Sequence, residues 1–368
     1  MSTLRTNTIT ANGAAVDFPT SLMAGNGSVT REYYEQATAP SSPGQGAIWW
    51  NTTTSELNIF IGTAWSEIEL VIPALPYFGD RGVFGGGEVG GTPQNVMDYV
   101  TITTAGNATD FGDLTLARHD PASCSNGTRG LFAGGYEVSG LNLDTIDYIT
   151  IATTGNAIDF GNLSGQKYIL AGCSDGTKGV FGGGFDNGMG IETNAIDYVT
   201  VATLGNALDF GDLTVARYSL AACSDGFRGV FGGGDSLTNV MDYITIATLG
   251  NAVDFGDLFV AVRRLAGCGN NTRGLFAGGL TSNGMAFGLI QYITIATAGN
   301  AVDFGYLITS REYLGACNNS TRAIFGGGAS GTTKYNVLEY VTMDTVGNAT
   351  DFGDLTVARA SLAACSGN

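Results

Sequence analysis

One histidine, six cysteines and six Asp-Phe-Gly triplets are the residues of this chain whose types could do chemistry. The triplets begin at Asp110, Asp159, Asp209, Asp254, Asp303 and Asp351. A protein kinase uses one such triplet to hold magnesium, beside a glycine loop, a lysine strand and a His-Arg-Asp loop that this chain lacks. Strings such as Gly179-Val180-Phe181-Gly182-Gly183-Gly184 mimic a phosphate cradle, but no Gly-Lys-Ser/Thr follows any copy. The only histidine, His119, leaves no two-histidine metal site and no Cys/His zinc site of ordinary spacing. A Ser-His-Asp unit built on it is conceivable, yet Asp120-Pro121 beside it reads as a surface turn. Cleavage of glycosides by paired carboxylates needs no histidine, although nothing marks a particular pair. The chain therefore reads as a non-enzyme, with no catalytic residue, cofactor or metal expected.

These residues recur because the chain itself repeats. Phe-x-Gly-Gly or its Ala variant begins at Phe84, Phe132, Phe181, Phe231, Phe276 and Phe325. Each copy is followed by a Tyr-bearing β-branched segment, then Gly-Asn-Ala-x-Asp-Phe-Gly, then one cysteine: Cys124, Cys173, Cys223, Cys268, Cys317 and Cys365. A period of this length, carried by Gly, Thr, Val, Ile, Phe and Tyr with no 3.6-residue apolar pattern, predicts short strands in a propeller. Each repeat parses into four strands, as in 218–224, 228–232, 239–248 and 252–258. Equivalent slots in neighbouring blades are separated by roughly 10 Å, and a disulfide needs Cα atoms within about 7 Å. The cysteines are thus expected to be free, buried and inert.

The repeat region opens on a second strand near Arg81 and ends on a first strand, 360–366. That phase shift predicts a six-bladed all-β propeller, each blade four-stranded, closed by the C-terminal strand lying innermost in the first blade. Ahead of the propeller (79–368) come an extended arm (1–45), a small β-meander (46–70) and a stiff Pro-containing linker (71–78). The meander holds all three tryptophans, Trp49, Trp50 and Trp65; the arm offers Leu4, Ile9 and Phe18 as apolar anchors. These six residues are the candidates for docking and oligomerisation.

The net charge of −17 argues against binding nucleic acid through its phosphates. No run of eighteen apolar residues suggests membrane insertion, and the N-terminus lacks a signal-peptide profile. The regularly spaced Asp-Phe-Gly-Asp carboxylates read as a solvated, turn-capping set.

Function is expected where the repeat varies. From each Tyr of the third strand to the next repeat's Phe the separation is constant at 33 residues, as from Tyr99 to Phe132. From Phe to Tyr within a repeat it runs from 12 to 17. All length variation therefore lies between the second and third strands. A second variable patch precedes each first strand: His119-Asp120, Tyr168-Ile169, Tyr218-Ser219, Arg263-Arg264, Glu312-Tyr313 and Ala360-Ser361. In an antiparallel blade both connections emerge on one face of the disc, which makes that face the candidate binding surface. The candidate ligand residues there are His119, Tyr136, Glu137, Tyr168, Phe185, Tyr218, Arg263, Arg264, Tyr313, Lys334 and Tyr335. Aromatic planes stack on sugar rings and Arg forks pair with acidic groups.

The order strand, turn, Gly-Gly strand, Tyr-bearing strand and basic residue, over 79–368, resembles the kelch family of β-propellers. The family's Trp between the third and fourth strands is replaced here by Asp-Phe-Gly-Asp. Residues 39–68, from Ala39-Pro40 through Trp49-Trp50-Asn51 to Trp65-Ser66-Glu67, resemble a short module of bacteriophage tail fibres and other virion appendages. Leu4-Arg5-Thr6-Asn7-Thr8-Ile9 resembles the virion-docking end of such fibres. The resemblance implies a structural protein located in the virion, with other tail proteins as partners and homo-oligomerisation, trimeric in many fibres, through the N-terminal region. The expected role is host attachment through a surface glycan or protein. The alternatives are a purely structural tail or capsid protein whose propeller docks other virion proteins, and a polysaccharide depolymerase.

Overall fold

The computed structural model describes residues 79–186, 188–235 and 238–368, together with 8–11, 14–17, 33–36, 38–42, 47–51, 56–61 and 63–67. The chain divides into two compact units, Met1–Pro73 and Ala74–Asn368. Leu4 and Phe18 fall outside the described residues.

In the first unit, Thr8–Ala11 pairs antiparallel with Ala14–Asp17, so the stretch expected to be extended contains a hairpin that includes Ile9. The three-stranded meander is present as Ile48–Asn51, Glu56–Ile61 and Ala64–Glu67. It gains a fourth strand, Tyr33–Gln36, which pairs in parallel with Ile48–Asn51 and comes from the segment read as arm. An edge strand with unpaired N–H and C=O groups accepts any extended neighbour, and Tyr33-Tyr34 suits a strand. Trp49 is buried, at 8% exposure.

The second unit is a six-bladed propeller of four-stranded antiparallel sheets. Blade 2 shows the plan: Ala122–Ser125 innermost, then Arg129–Ala133, Thr145–Thr150 and Ile158–Asn162. Blade 1 is closed as the phase shift predicted, with Ala363–Gly367 antiparallel to Arg81–Gly85. The closing strand begins three residues later than expected, because Ala360 is bridged to Glu88 and Ser361 belongs to the axial ring described below. The six innermost strands touch one another in a closed cycle around the axis.

Blade-to-blade packing explains the repeated residues. Each cysteine is free and buried, and the Sγ of five of them lies over a glycine in the second strand of the next blade. There a Cβ on Gly130 would meet Cys365 Sγ at 2.6 Å, and one on Gly179 would meet Cys124 Sγ at 2.6 Å. Burial pushes all six thiols up, Cys268 and Cys365 to about 12. The glycine of each Asp-Phe-Gly has φ between +136° and +147°, and at Gly161 a Cβ would meet the Gly205 carbonyl oxygen at 2.4 Å. This contact joins each outer strand to the Gly-Asn-Ala turn of the next blade, and the Asn clasps it: Asn206 Oδ1 accepts the Asn162 N–H at 3.0 Å. The same clasp occurs at all six interfaces. The leading Asp of each triplet is exposed, as a solvated set should be, while the capping is done by the Asn.

Five interfaces also hold a buried ion pair between the end of one blade and the third strand of the next. Arg118–Asp147 is 2.8 Å, Lys167–Asp197 2.9 Å, Arg217–Asp242 2.9 Å, Arg311–Glu339 3.2 Å and Arg359–Asp98 2.6 Å. The remaining interface has Val262 and Gln291 in those slots. Burial lowers the guanidinium pKa of Arg118, Arg217 and Arg311, opposed by the partnering carboxylate. On the opposite side of each blade, the residue opening the second strand reaches carbonyls of the next blade, as Arg129 Nη1 does to Val201 O at 2.9 Å.

Candidate functional site

The fold brings the two variable patches together. The residue before each inner strand is bridged to the start of the following variable loop: His119 to Tyr136, Tyr168 to Phe185, Arg263 to Leu280 and Glu312 to Ala329. Three of the loops are short two-stranded ribbons. Glu88–Val89 pairs with Thr92–Pro93, Phe185–Asp186 with Ile191–Glu192, and Ala329–Ser330 with Thr333–Lys334.

The second residue of each patch forms a ring that the residue types alone do not reveal. Asp120, Ile169, Ser219, Arg264, Tyr313 and Ser361 all have φ between +54° and +61°. Each donates its N–H to the carbonyl of its counterpart in the adjacent blade, at 2.8–3.0 Å, in a closed circuit running 120, 361, 313, 264, 219, 169 and back to 120. Left-handed backbone costs a non-glycine residue about 1–2 kcal/mol, so the closed circuit holds six strained positions that glycine would occupy freely. The identical position in every repeat was the available signal; the backbone conformation was not. The ring residues immediately precede those lining an axial cavity of ≈ 110 Å³. A second axial cavity of ≈ 90 Å³ is lined by the cysteine and serine level of the inner strands. Both spaces are large enough to hold water.

Five of the candidate residues form a continuous arc over blades 2 to 4. Ring centroids are 5.2 Å apart for His119–Tyr136, 5.4 Å for Tyr136–Tyr168, 5.9 Å for Tyr168–Phe185 and 5.3 Å for Phe185–Tyr218. Burial raises the Tyr168 hydroxyl pKa, with Asp120 adding to it. Burial and a hydrogen bond to Asp235 push Tyr218 up to about 12. His119 Nδ1 lies 2.7 Å from Asp120 Oδ2, and among the described residues no hydroxyl bonds its other nitrogen.

The basic candidates belong to blades 5 and 6 and are already paired. Arg263 is bonded to Asp235 and Lys334 to Glu88. Arg264 Nη1 is 2.9 Å from Glu312 Oε2, and its guanidinium lies 4.6 Å from the Tyr313 ring centroid. Burial would raise the Glu88 pKa, but hydrogen bonds from Lys334 and the Gly91 N–H hold it below the ordinary value. The two arginines are therefore not open forks awaiting an acidic ligand. Glu137 accepts from Ser139 Oγ at 2.5 Å within its own loop. Tyr335 is tied by its backbone to Gly328 and Arg359 and stands apart from the arc. Glu312 stood in the variable patch, but the pairing roles of Asp235, Glu312 and Glu88 were not legible in the sequence because each depends on the partner that another blade supplies.

Comparison of the chain with protein-family models and with curated proteins returned no match.

Proposed function

We propose that this chain is a bacteriophage virion protein, a tail fibre or other appendage, whose kelch-like propeller head binds a host-surface glycan without cleaving it. The N-terminal unit attaches the head to the particle and oligomerises. The observation that carries the reading is the aromatic arc of His119, Tyr136, Tyr168, Phe185 and Tyr218. It is assembled from the two connections that vary, on a scaffold whose other turns repeat. Rings held by two-stranded ribbons lose little freedom on binding. The N-terminal part of the reading rests on the likeness of residues 4–9 and 39–68 to fibre segments.

Exposed apolar residues favour a second reading, docking onto another virion protein. Ile158, Leu204, Leu208, Leu249 and Val253 are 50–60% exposed on the third-to-fourth-strand turns and outer strands of blades 2 to 4. One experiment separates the readings. Labelled protein is incubated with candidate host cells, and released sugar is assayed. Saturable binding weakened in Tyr168→Ala or Phe185→Ala, with no sugar released, is the expected result. Absence of cell binding, together with incorporation into particles that is lost in Leu204→Asp/Leu249→Asp, overturns receptor binding in favour of docking.

A further inference from the structure

The charges of the variable face point to the class of saccharide it takes, an inference that rests on the receptor-binding reading above. Of the fourteen Lys and Arg in residues 79–368, five form the buried inter-blade pairs and six open the second strands and reach carbonyls of the next blade. Only Arg263, Arg264 and Lys334 remain, all on the variable face and each bonded to a carboxylate. Over the six variable loops and the six paired positions before the inner strands, eight Asp and Glu stand against these three cations. Glu192, the cross-strand partner of Phe185, brings one such carboxylate to the aromatic arc.

An ionised carboxylate only accepts hydrogen bonds, and a guanidinium or ammonium only donates. The face thus presents surplus acceptors and aromatic planes, with its strong donors already engaged. We propose that the arc binds a neutral, hydroxyl-rich saccharide, its hydroxyls donating to Glu192 and its ring faces stacking on Tyr168 and Phe185. A uronic, sialic or phosphorylated sugar would bring acceptor-only groups to a surface of the same sign. It would have to break a half-buried ion pair to find a cation.

The test uses the full chain on cells that it decorates. Affinity is measured at about 0.05 M and about 0.5 M salt, where screening differs several-fold in range. Surface polysaccharide stripped from those cells is split by anion exchange into neutral and acidic fractions, which serve as competitors. We expect a change of less than about twofold with salt, competition by the neutral fraction, and Glu192→Gln within about threefold of the parent, since the amide oxygen still accepts. Tyr168→Ala should weaken binding by roughly threefold to tenfold. Competition by the acidic fraction alone, with tighter binding by Glu192→Gln, overturns the neutral-ligand inference and leaves receptor binding standing. Affinity that falls more than about tenfold with salt and again in Glu192→Gln indicates a cationic ligand and overturns it too. Failure to decorate any host strain overturns the receptor reading itself.

Discussion

The interface that lacks an ion pair supplies an internal control for the five that have one. Asp147→Gln removes the counter-ion of Arg118, whose side chain is 0% exposed. Its remaining bonds run to neutral groups, the Gly134 and Thr145 carbonyls at 3.2 and 3.0 Å among them. Leaving such a charge uncompensated costs about 3–5 kcal/mol. Arg118→Val alone strands Asp147 in the same way, although Thr115 still donates to it from its N–H at 3.0 Å and its Oγ1 at 2.6 Å. The double variant reproduces the Val262/Gln291 pair, in which Gln291 Oε1 accepts the Val260 N–H at 2.9 Å. No charge is then stranded. What remains is the space of the lost guanidinium, which Phe287 helps to fill around Val262 and which Leu143 fills less well in blade 2. We expect the double variant to lose about 1–2 kcal/mol, and Leu143→Phe added to it to recover part of that. The coupling between the single changes should be about 3 kcal/mol or more. Chemical denaturation of the four proteins gives the cycle. Additive losses, with coupling near zero, would refute the argument that charge compensation sets the cost.

Four further outcomes follow from the packing. Because burial raises all six thiol pKa values, stability should be complete below the unfolded value near 9 and fall as pH rises toward the folded values, about 12 for Cys268 and Cys365. The slope approaches about 1.4 kcal/mol per pH unit per thiol, and denaturation midpoints that stay flat to about pH 10.5 would contradict it. Gly161→Ala should be strongly destabilising because its Cβ meets the backbone of Gly205, whereas Gly130→Ala should be mild because Ala323 already occupies that slot in blade 6. Ser219→Gly should raise stability by up to about 1 kcal/mol by relieving left-handed strain, since the Ser219 hydroxyl is buried with no hydrogen-bond partner; thermal melts of the three variants check both glycine arguments. Removing residues 363–368 takes away the strand paired with Arg81–Gly85, and should produce aggregation on size-exclusion chromatography; a truncated chain that melts like the parent would break the closure argument.

Much of this architecture was legible in the residues. Blade number, the closing strand, the free buried cysteines and the placing of every loop-length change on one face all follow from counting slots along the chain, because each repeat folds against a near-copy of itself. A slot, however, does not name its partner. Arg263 and Arg264 read as open binding groups, and only the tertiary structure shows Asp235 and Glu312 closing on them from positions 28 and 48 residues away. The six-membered axial ring was equally hidden, because a left-handed backbone at Ile169 or Tyr313 is unfavourable for the residue taken alone. It exists only when six blades close and complete the hydrogen-bond circuit. Periodicity is a property of the chain, and so it determined the scaffold. The site's charge balance and geometry depend on contacts between blades, and those the closed ring alone decides.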